Sequence, residues 1–258
     1  MATKIVQPAG VQESEEFWDR FAASAAIHPA NLYRYNLISG MAAVLPGAKD
    51  CVVDLGCGNG VLLAHFHERG IGKRLIGFDG SLAIVERNRP RIPYAEFQQA
   101  DLQLPERFPL KGVADIVTCS EVVEHMPNYI PAFRIAFECL RPGGHLILTT
   151  QGGKRRRHDI ELLGHLRHYD INVLAAEVAA AGFKIHRKQQ AGWPALTLQK
   201  IAASMFMGQV SKELASHAEP SALFKFACQI IGMGLKVSFR SFGPQLVITA
   251  QKPLGTTV

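Results

Sequence analysis

Glu121, Glu124 and His125 stand in the segment Ser120-Glu121-Val122-Val123-Glu124-His125-Met126-Pro127. On a helical turn the spacing i, i+3, i+4 sets all three on one face. Two carboxylates and an imidazole so placed can do two kinds of work. They can hold Mg²⁺, Mn²⁺ or Zn²⁺ and lower the pKa of a coordinated hydroxyl. Alternatively His125, with Glu124 beside it, serves without a metal as general base or orienting group. Both remain open on the residues alone, as does a structural role. A second constellation lies upstream, where the apolar run Val52-Val53 reaches Asp54 and the turn Gly56-Cys57-Gly58-Asn59-Gly60. Glycine tolerates positive φ and has no Cβ to hold a ligand away. The spacing G-x-G-x-G differs from the G-x-G-x-x-G of a pyrophosphate-gripping loop. Asp54 would be a poor neighbour for phosphate, so a cationic ligand suits the turn better.

The elements that must position these residues alternate. Strands are expected over 51–55, 74–78, 95–98, 114–119, 145–150, 183–188 and 246–250. Helices are expected over 13–25, 31–45, 61–69, from Ser81 onward, 129–140 and 171–181, with Gly143-Gly144 turning into the fifth strand. Such alternation means an α/β fold with a doubly wound, mostly parallel seven-stranded sheet. Ligands in these sheets bind beyond the carboxyl ends of the strands, where the glycine turn, Asp79, Asp101 and Ser120–His125 all fall. One domain over 1–258 is expected: an N-terminal helical cap (1–48), a core (49–190), a helical insertion (191–243) and a final strand (244–252).

Asp54-Leu55-Gly56-Cys57-Gly58-Asn59-Gly60 resembles, without a gap, the first motif of the class I S-adenosylmethionine-dependent methyltransferases. Asp79, with Gly80 and Ser81, follows the second strand 23 residues after Gly56, where that resemblance implies an acid accepting both ribose hydroxyls. Asp101-Leu102 resembles the family's adenine-binding pair. The turn Arg141-Pro142-Gly143-Gly144 resembles the family's entry to its fifth strand, and 166–183 its sixth helix. The resemblance implies a Rossmann-like fold and S-adenosylmethionine as cofactor, contacted by Tyr33, Arg34, Asp54, Gly56, Cys57, Gly58, Gly60, Asp79–Ser81, Asp101, Leu102, Ser120 and Glu121. The E-x-x-E-H segment is similar to that of the ubiquinone-biosynthesis O-methyltransferases and of small-RNA 2′-O-methyltransferases. That similarity implies a divalent cation on Glu121, Glu124, His125 and His168 or His165, with His125 and Glu124 as the catalytic pair.

The expected acceptor is a hydroxyl on a hydrophobic small molecule such as a phenol, quinone precursor, polyketide or lipid-linked group. C- or N-methylation and a metal-dependent RNA 2′-O reaction are the alternatives. A net charge of +6 invites a nucleic-acid reading, but the local excess is largely the single run Lys154–Arg157. No basic helix or aromatic platform accompanies it, which counts against nucleic acid. The five cysteines show no C-x-x-C spacing, and no signal peptide or spanning run is evident, so a cytoplasmic protein is expected. The insertion carries Phe224, Phe226, Ile230, Met233 and Leu235, which could roof an apolar pocket. A homodimer interface or extra core competes with that reading. So does peripheral membrane contact, with Lys225, Lys236 and Arg240 at headgroup depth.

Overall fold

The computed structural model describes residues 28–161, 163–205, 208, 222–237 and 241–255. Seven strands form one sheet: β1 (Cys51–Leu55), β2 (Arg74–Asp79), β3 (Glu96–Gln99), β4 (Ala114–Ser120), β5 (Leu140–Gln151), β6 (Lys184–Ala191) and β7 (Gln245–Gln251). Their order is β3-β2-β1-β4-β5-β7-β6. The first five run parallel, and β7 lies antiparallel between β5 and β6. This is the doubly wound, Rossmann-like arrangement expected from the sequence. The helices are α1 (Pro29–Val44), α2 (Val61–Glu68), α3 (Leu82–Arg91), α4 (Ile130–Cys139), α5 (Arg157–Glu161), α6 (Ile171–Ala180), α7 (Ala195–Met205) and α8 (Ala222–Lys236).

Strand alternation sends side chains to two cores. Val53 and Leu55 of β1 pack with Phe133 and Ile135 of α4 and Leu174 of α6. Val52 packs on the other face with Leu63 and Phe66 of α2, Val85 of α3 and Ile38 of α1. Helix starts follow local chemistry: Ser81 Oγ accepts from the Ile84 N–H at 3.4 Å, and Asp170 Oδ1 accepts from Asn172 and Val173 at 2.8 and 3.2 Å. After β1 the chain crosses to β2 on one side, while β4 lies on the other. The crevice where the order reverses is the switch point of such a sheet.

Several boundaries differ from the sequence reading. The expected helix over 13–25, with Phe17 and Trp18, lies outside the described residues. β5 begins at Leu140 rather than 145, because the Gly143-Gly144 turn is taken up as an irregularity of strand pairing. β6 extends to Ala191, since Gln189–Ala191 pair with Val247–Gln245 of β7. α5 falls where the sequence reading expected no helix. Asp159 Oδ2 accepts from the Arg156 N–H at 2.8 Å, and Arg157 pairs with Glu161 one turn on, also at 2.8 Å.

The insertion forms α7 and α8, and α8 packs on α1 and α7. Gly234 sits close to Ala195, where an added Cβ would approach 3.3 Å. Of the side chains expected to roof a pocket, Phe226, Ile230 and Met233 are exposed and Leu235 is buried. The side chains of Phe224 and Lys225, and Arg240 entirely, fall outside the described residues. Among the described residues no helix is long and apolar enough to cross a membrane.

Asp115 at the foot of β4 ties three strands together. Its Oδ2 accepts from the Cys51 N–H at 2.8 Å, and Oδ1 accepts from Arg141 Nε. Burial opposes its charge, but the Cys51 amide and then the Arg141 guanidinium more than offset this, holding the carboxyl below its ordinary value. A depressed acid contributes stability above its unfolded pKa and loses it as pH falls through the folded one. Asp115→Asn is expected to cost about 1–2 kcal/mol at neutral pH. The gap in Tm to the parent should narrow below about pH 4; a gap constant from pH 7 to 3 would contradict this.

Candidate active site

The glycine turn is built by contacts that leave one position open. The N–H groups of Gly56 and Cys57 both donate to Phe78 O at 2.8 Å, docking the turn onto the end of β2. Gly56 and Gly60 both have φ of +71°, and added Cβ atoms would come within 2.4 Å of Val122 and 2.6 Å of Ile92. These two glycines serve packing. Gly58, at φ +49°, differs: an added Cβ would meet nothing within 4 Å. Its backbone therefore borders free space, as close approach of a ligand requires. Asp79 spans the turn, with Oδ2 accepting from Gly58 N at 2.9 Å and Oδ1 from Ser81 N at 3.0 Å. The buried Asn88 amide donates to Gly58 O at 2.6 Å from α3, a support that sequence reasoning missed.

Asp54 lies buried below the turn and accepts from Thr118 Oγ1 at 2.6 Å. Burial, with the Asp79 charge adding to it, raises its pKa to about 7 against the Thr118 bond and Arg34. Cys57 is a buried thiol pushed well above its ordinary pKa by burial and then by Asp79 and Asp54. Asp101 Oδ1 accepts from Gln103 N at 2.8 Å, so one of its oxygens closes a local turn. Leu102 is buried in the same core as Phe78 and Phe108. Ser120 Oγ meets Thr149 Oγ1 at 2.9 Å. Tyr33 packs against the second core.

The E-x-x-E-H segment does not form the single helical face expected. Glu121 has φ of +56°, rare for a side chain with a Cβ, and only Val123–His125 makes a 3₁₀ turn. Glu121 thereby reaches a set of partners of its own. Its Oε2 lies 3.7 Å from Arg34 Nη1, and its Oε1 accepts from Gln245 Nε2 at 2.8 Å. Gln151 Nε2 donates to Oε2, and Thr149 Oγ1 to Oε1 at 3.3 Å. Burial opposes ionisation here, but Arg34 foremost, then the Gln151 and Gln245 bonds, bring its pKa to about 2. Glu124 goes the other way: burial, then the Glu121 charge, raise it well above the carboxylate range. It is fully buried, its Oε2 accepting from Thr150 Oγ1 at 2.8 Å while Oε1 has no hydrogen-bond partner among the described residues.

Glu124, His125 and His165 converge, with one potential ligand atom from each within 4.8 Å of the others. Glu121 and His168 stand outside that group. His168 instead meets His165, Nε2 to Nδ1, at 3.0 Å, and joins Asp159 and His165 in a second triad. The rings of His125 and His165 meet edge-on at 4.9 Å. Burial lowers the pKa of both imidazoles, that of His165 to about 3, with His125 as the next cause. Asp159, fully buried beside Lys200 at 3.2 Å, was not singled out in the sequence. Nor were Thr149, Gln151 and Gln245, whose roles depend on pairings across the sheet.

Fold and crevice together define a methyltransferase. The chain matches the family model described as a methyltransferase domain over residues 29–188, and it belongs to that family. The ubiquinone biosynthesis O-methyltransferase of Acinetobacter baumannii (strain AYE) is 27% identical over 157 residues, 58% of this chain and 63% of that protein. The chain thus spans less than two thirds of that curated relative. A methyltransferase structure from Bacillus halodurans C-125 superposes with a TM-score of 0.55 at 19% identity, covering 84% of this chain and 98% of that one. A chain from the complex between the Haloferax volcanii Trm112 methyltransferase activator and a methyltransferase gives a TM-score of 0.58 at 18% identity, covering 93% and 99%. The cofactor such a domain implies is S-adenosylmethionine, and the open backbone at Gly58 beside Asp79 fits it.

Asp79→Ala removes an acceptor shared by the turn and α3. We expect binding of S-adenosylhomocysteine to weaken by about tenfold to a hundredfold in calorimetry. Unchanged affinity in a folded variant would contradict the role of this carboxylate.

Proposed function

We propose that this chain methylates a hydroxyl group on an apolar small molecule, of the phenol, quinone-precursor, polyketide or lipid-linked kind. S-adenosylmethionine supplies a sulfonium methyl that is already electrophilic. The protein's work is to align the acceptor, exclude water and take the hydroxyl proton. The observation that carries the reading is the convergence of Glu124, His125 and His165 beside the glycine turn. Val122, from the same segment, packs directly over Gly56. A base there stands next to the cofactor without displacing it.

In this reading Asp79 takes the ribose hydroxyls, Asp101 and Leu102 the adenine, and Gly56–Gly60 the amino-acid portion. Asp54, Arg34, Tyr33, Ser120 and Glu121 line the methionine end. His125 Nδ1 or Nε2 accepts the proton from the acceptor, with His165 behind it and Glu124 beside it. The relative from Acinetobacter, an O-methyltransferase by name, supports oxygen over carbon or nitrogen as the methylated atom.

A second reading is favoured by the buried, unpartnered Glu124 Oε1. Glu124, His125 and His165 would hold a divalent cation, which would supply positive charge to acidify an acceptor hydroxyl. Such a charge would also draw Glu124 into its carboxylate form.

His125→Ala is expected to retain S-adenosylhomocysteine affinity while methyl transfer from radiolabelled cofactor to a panel of catechols and hydroxyquinones falls by about a hundredfold or more. Full activity of the variant would sink the role of His125. Chelation and dialysis discriminate the readings. Activity that survives with no bound metal excludes the cation, whereas loss restored by Mg²⁺, Mn²⁺ or Zn²⁺ supports it.

A further inference from the structure

The basic run Lys154–Arg157 separates, residue by residue, into two jobs. Arg155 is structural, its Nη1 donating to the carbonyls of His165, at 2.9 Å, and Leu166. Arg157 pairs with Glu161 along α5. Lys154 and Arg156 do neither. They line a cavity of about 190 Å³ together with Gly152, Gly153, Thr197, Lys200, Gly243 and Pro244. The chain thus brings three cations to one concavity, the third from α7, 44 residues beyond Arg156. Among the described residues no acidic one lines it.

The local charge is not neutralised. Lys200 Nζ lies 3.2 Å from Asp159 Oδ1, so the buried acid behind the wall answers one cation. Arg156 is half-buried, and among the described residues no carboxylate pairs with its guanidinium. Lys154 is exposed at the mouth and likewise has no acidic partner there. A concave wall with two positive charges that no described carboxylate answers focuses field and concentrates anions. A guanidinium matches two phosphoryl oxygens at once, whereas an ammonium acts as a point charge. Thr197 adds a hydroxyl that can donate. Gly153 keeps the floor open, since an added Cβ there would meet nothing within 4 Å.

We infer that this cavity is a binding site for a phosphoryl group, formed by Arg156, Lys154, Lys200 and Thr197 and separate from the cofactor crevice. It lies one ion pair behind the imidazoles of the candidate active site: Lys200 holds Asp159, and Asp159 Oδ2 is 3.8 Å from His168 Nε2. The phosphoryl group is either a free ion or one end of a phosphate ester. Its size and the internal use of Arg155 and Arg157 favour a small ligand over a polyanion lying along a basic surface.

The test needs neither cofactor nor methyl acceptor, so its outcome is independent of the proposed reaction. Inorganic phosphate is titrated into the full chain by calorimetry at fixed ionic strength. Saturable binding is expected, with the Kd raised at least about tenfold in Arg156→Gln and about threefold in Lys154→Gln. Arg187→Gln, an exposed charge on β6, should bind as the parent does. Circular dichroism and Tm establish that each variant is folded, and Lys154→Gln carries the test should Arg156→Gln fail to fold. Absence of saturable binding, or equal affinity in the folded cavity variants and the parent, overturns the site. Phenyl phosphate is the second probe. Tighter binding than inorganic phosphate supports an ester as the natural source, and equal or weaker binding, still lost in Arg156→Gln, supports the free ion.

Discussion

A buried negative charge at Glu121 organises the crevice. A carboxylate taken out of water must be met by fixed partners or lose its charge. Here Arg34 comes from α1, Thr149 and Gln151 from β5, and Gln245 from β7. One side chain therefore holds the helical cap, the middle of the sheet and its antiparallel strand in a common arrangement. The φ of +56° at Glu121 is the strain that directs it there, and such conformations cost on the order of 1–3 kcal/mol. Burial first, and then the Glu121 charge, push Glu124 in the opposite direction, so the two neighbouring acids are held apart in acidity. Arg34 also acts on Asp54 under the glycine turn. One guanidinium thus serves several acids, and the crevice around Glu121 and Asp54 suits a ligand that brings positive charge of its own.

The sheet was legible in the sequence for a physical reason. Runs such as Val52-Val53 and the β-branched stretch of 114–119 alternate with helical segments at a spacing that only parallel pairing satisfies. Asp79 and Asp101 stand out because the ends of parallel strands are where such folds gather function. What Asp79 does before any ligand arrives, bridging Gly58 and Ser81, was not legible, since the donors that reach a carboxylate depend on how a loop folds. The helical-face argument for Glu121, Glu124 and His125 failed at one residue. It assumes right-handed helical φ throughout, and nothing in a glutamate announces a positive φ.

Long-range partners escaped for a different reason. Gln245 lies 124 positions from Glu121, and Thr118 lies 64 from Asp54. A glutamine at the start of a strand carries no local mark that separates it from a solvated amide. His165 was visible as an alternative to His168, but only the loop packed against Glu124 brings it to His125: the Leu166 N–H donates to Glu124 O at 2.8 Å. In the insertion, Phe224, Phe226, Ile230, Met233 and Leu235 stood out together as apolar residues that could roof a pocket. Apolar composition leaves open which of them meet protein. Here Leu235 and Gly234 take the inward side.

The antiparallel setting of β7 also bears on how such a fold can diversify. A parallel strand arrives at the catalytic edge with its end, so it hands the chain to the adjacent loop there. β7 arrives with its beginning, and whatever precedes it in the chain is delivered to the same edge. Gly243, Pro244 and Gln245 hold this junction, with Pro244 O accepting from Gly152 N at 2.7 Å. The segment upstream can therefore lengthen, shorten or be exchanged while the strand keeps its register with β5 and β6. That makes the junction a natural splice point, at which ligand preference can be recast without rebuilding the catalytic floor.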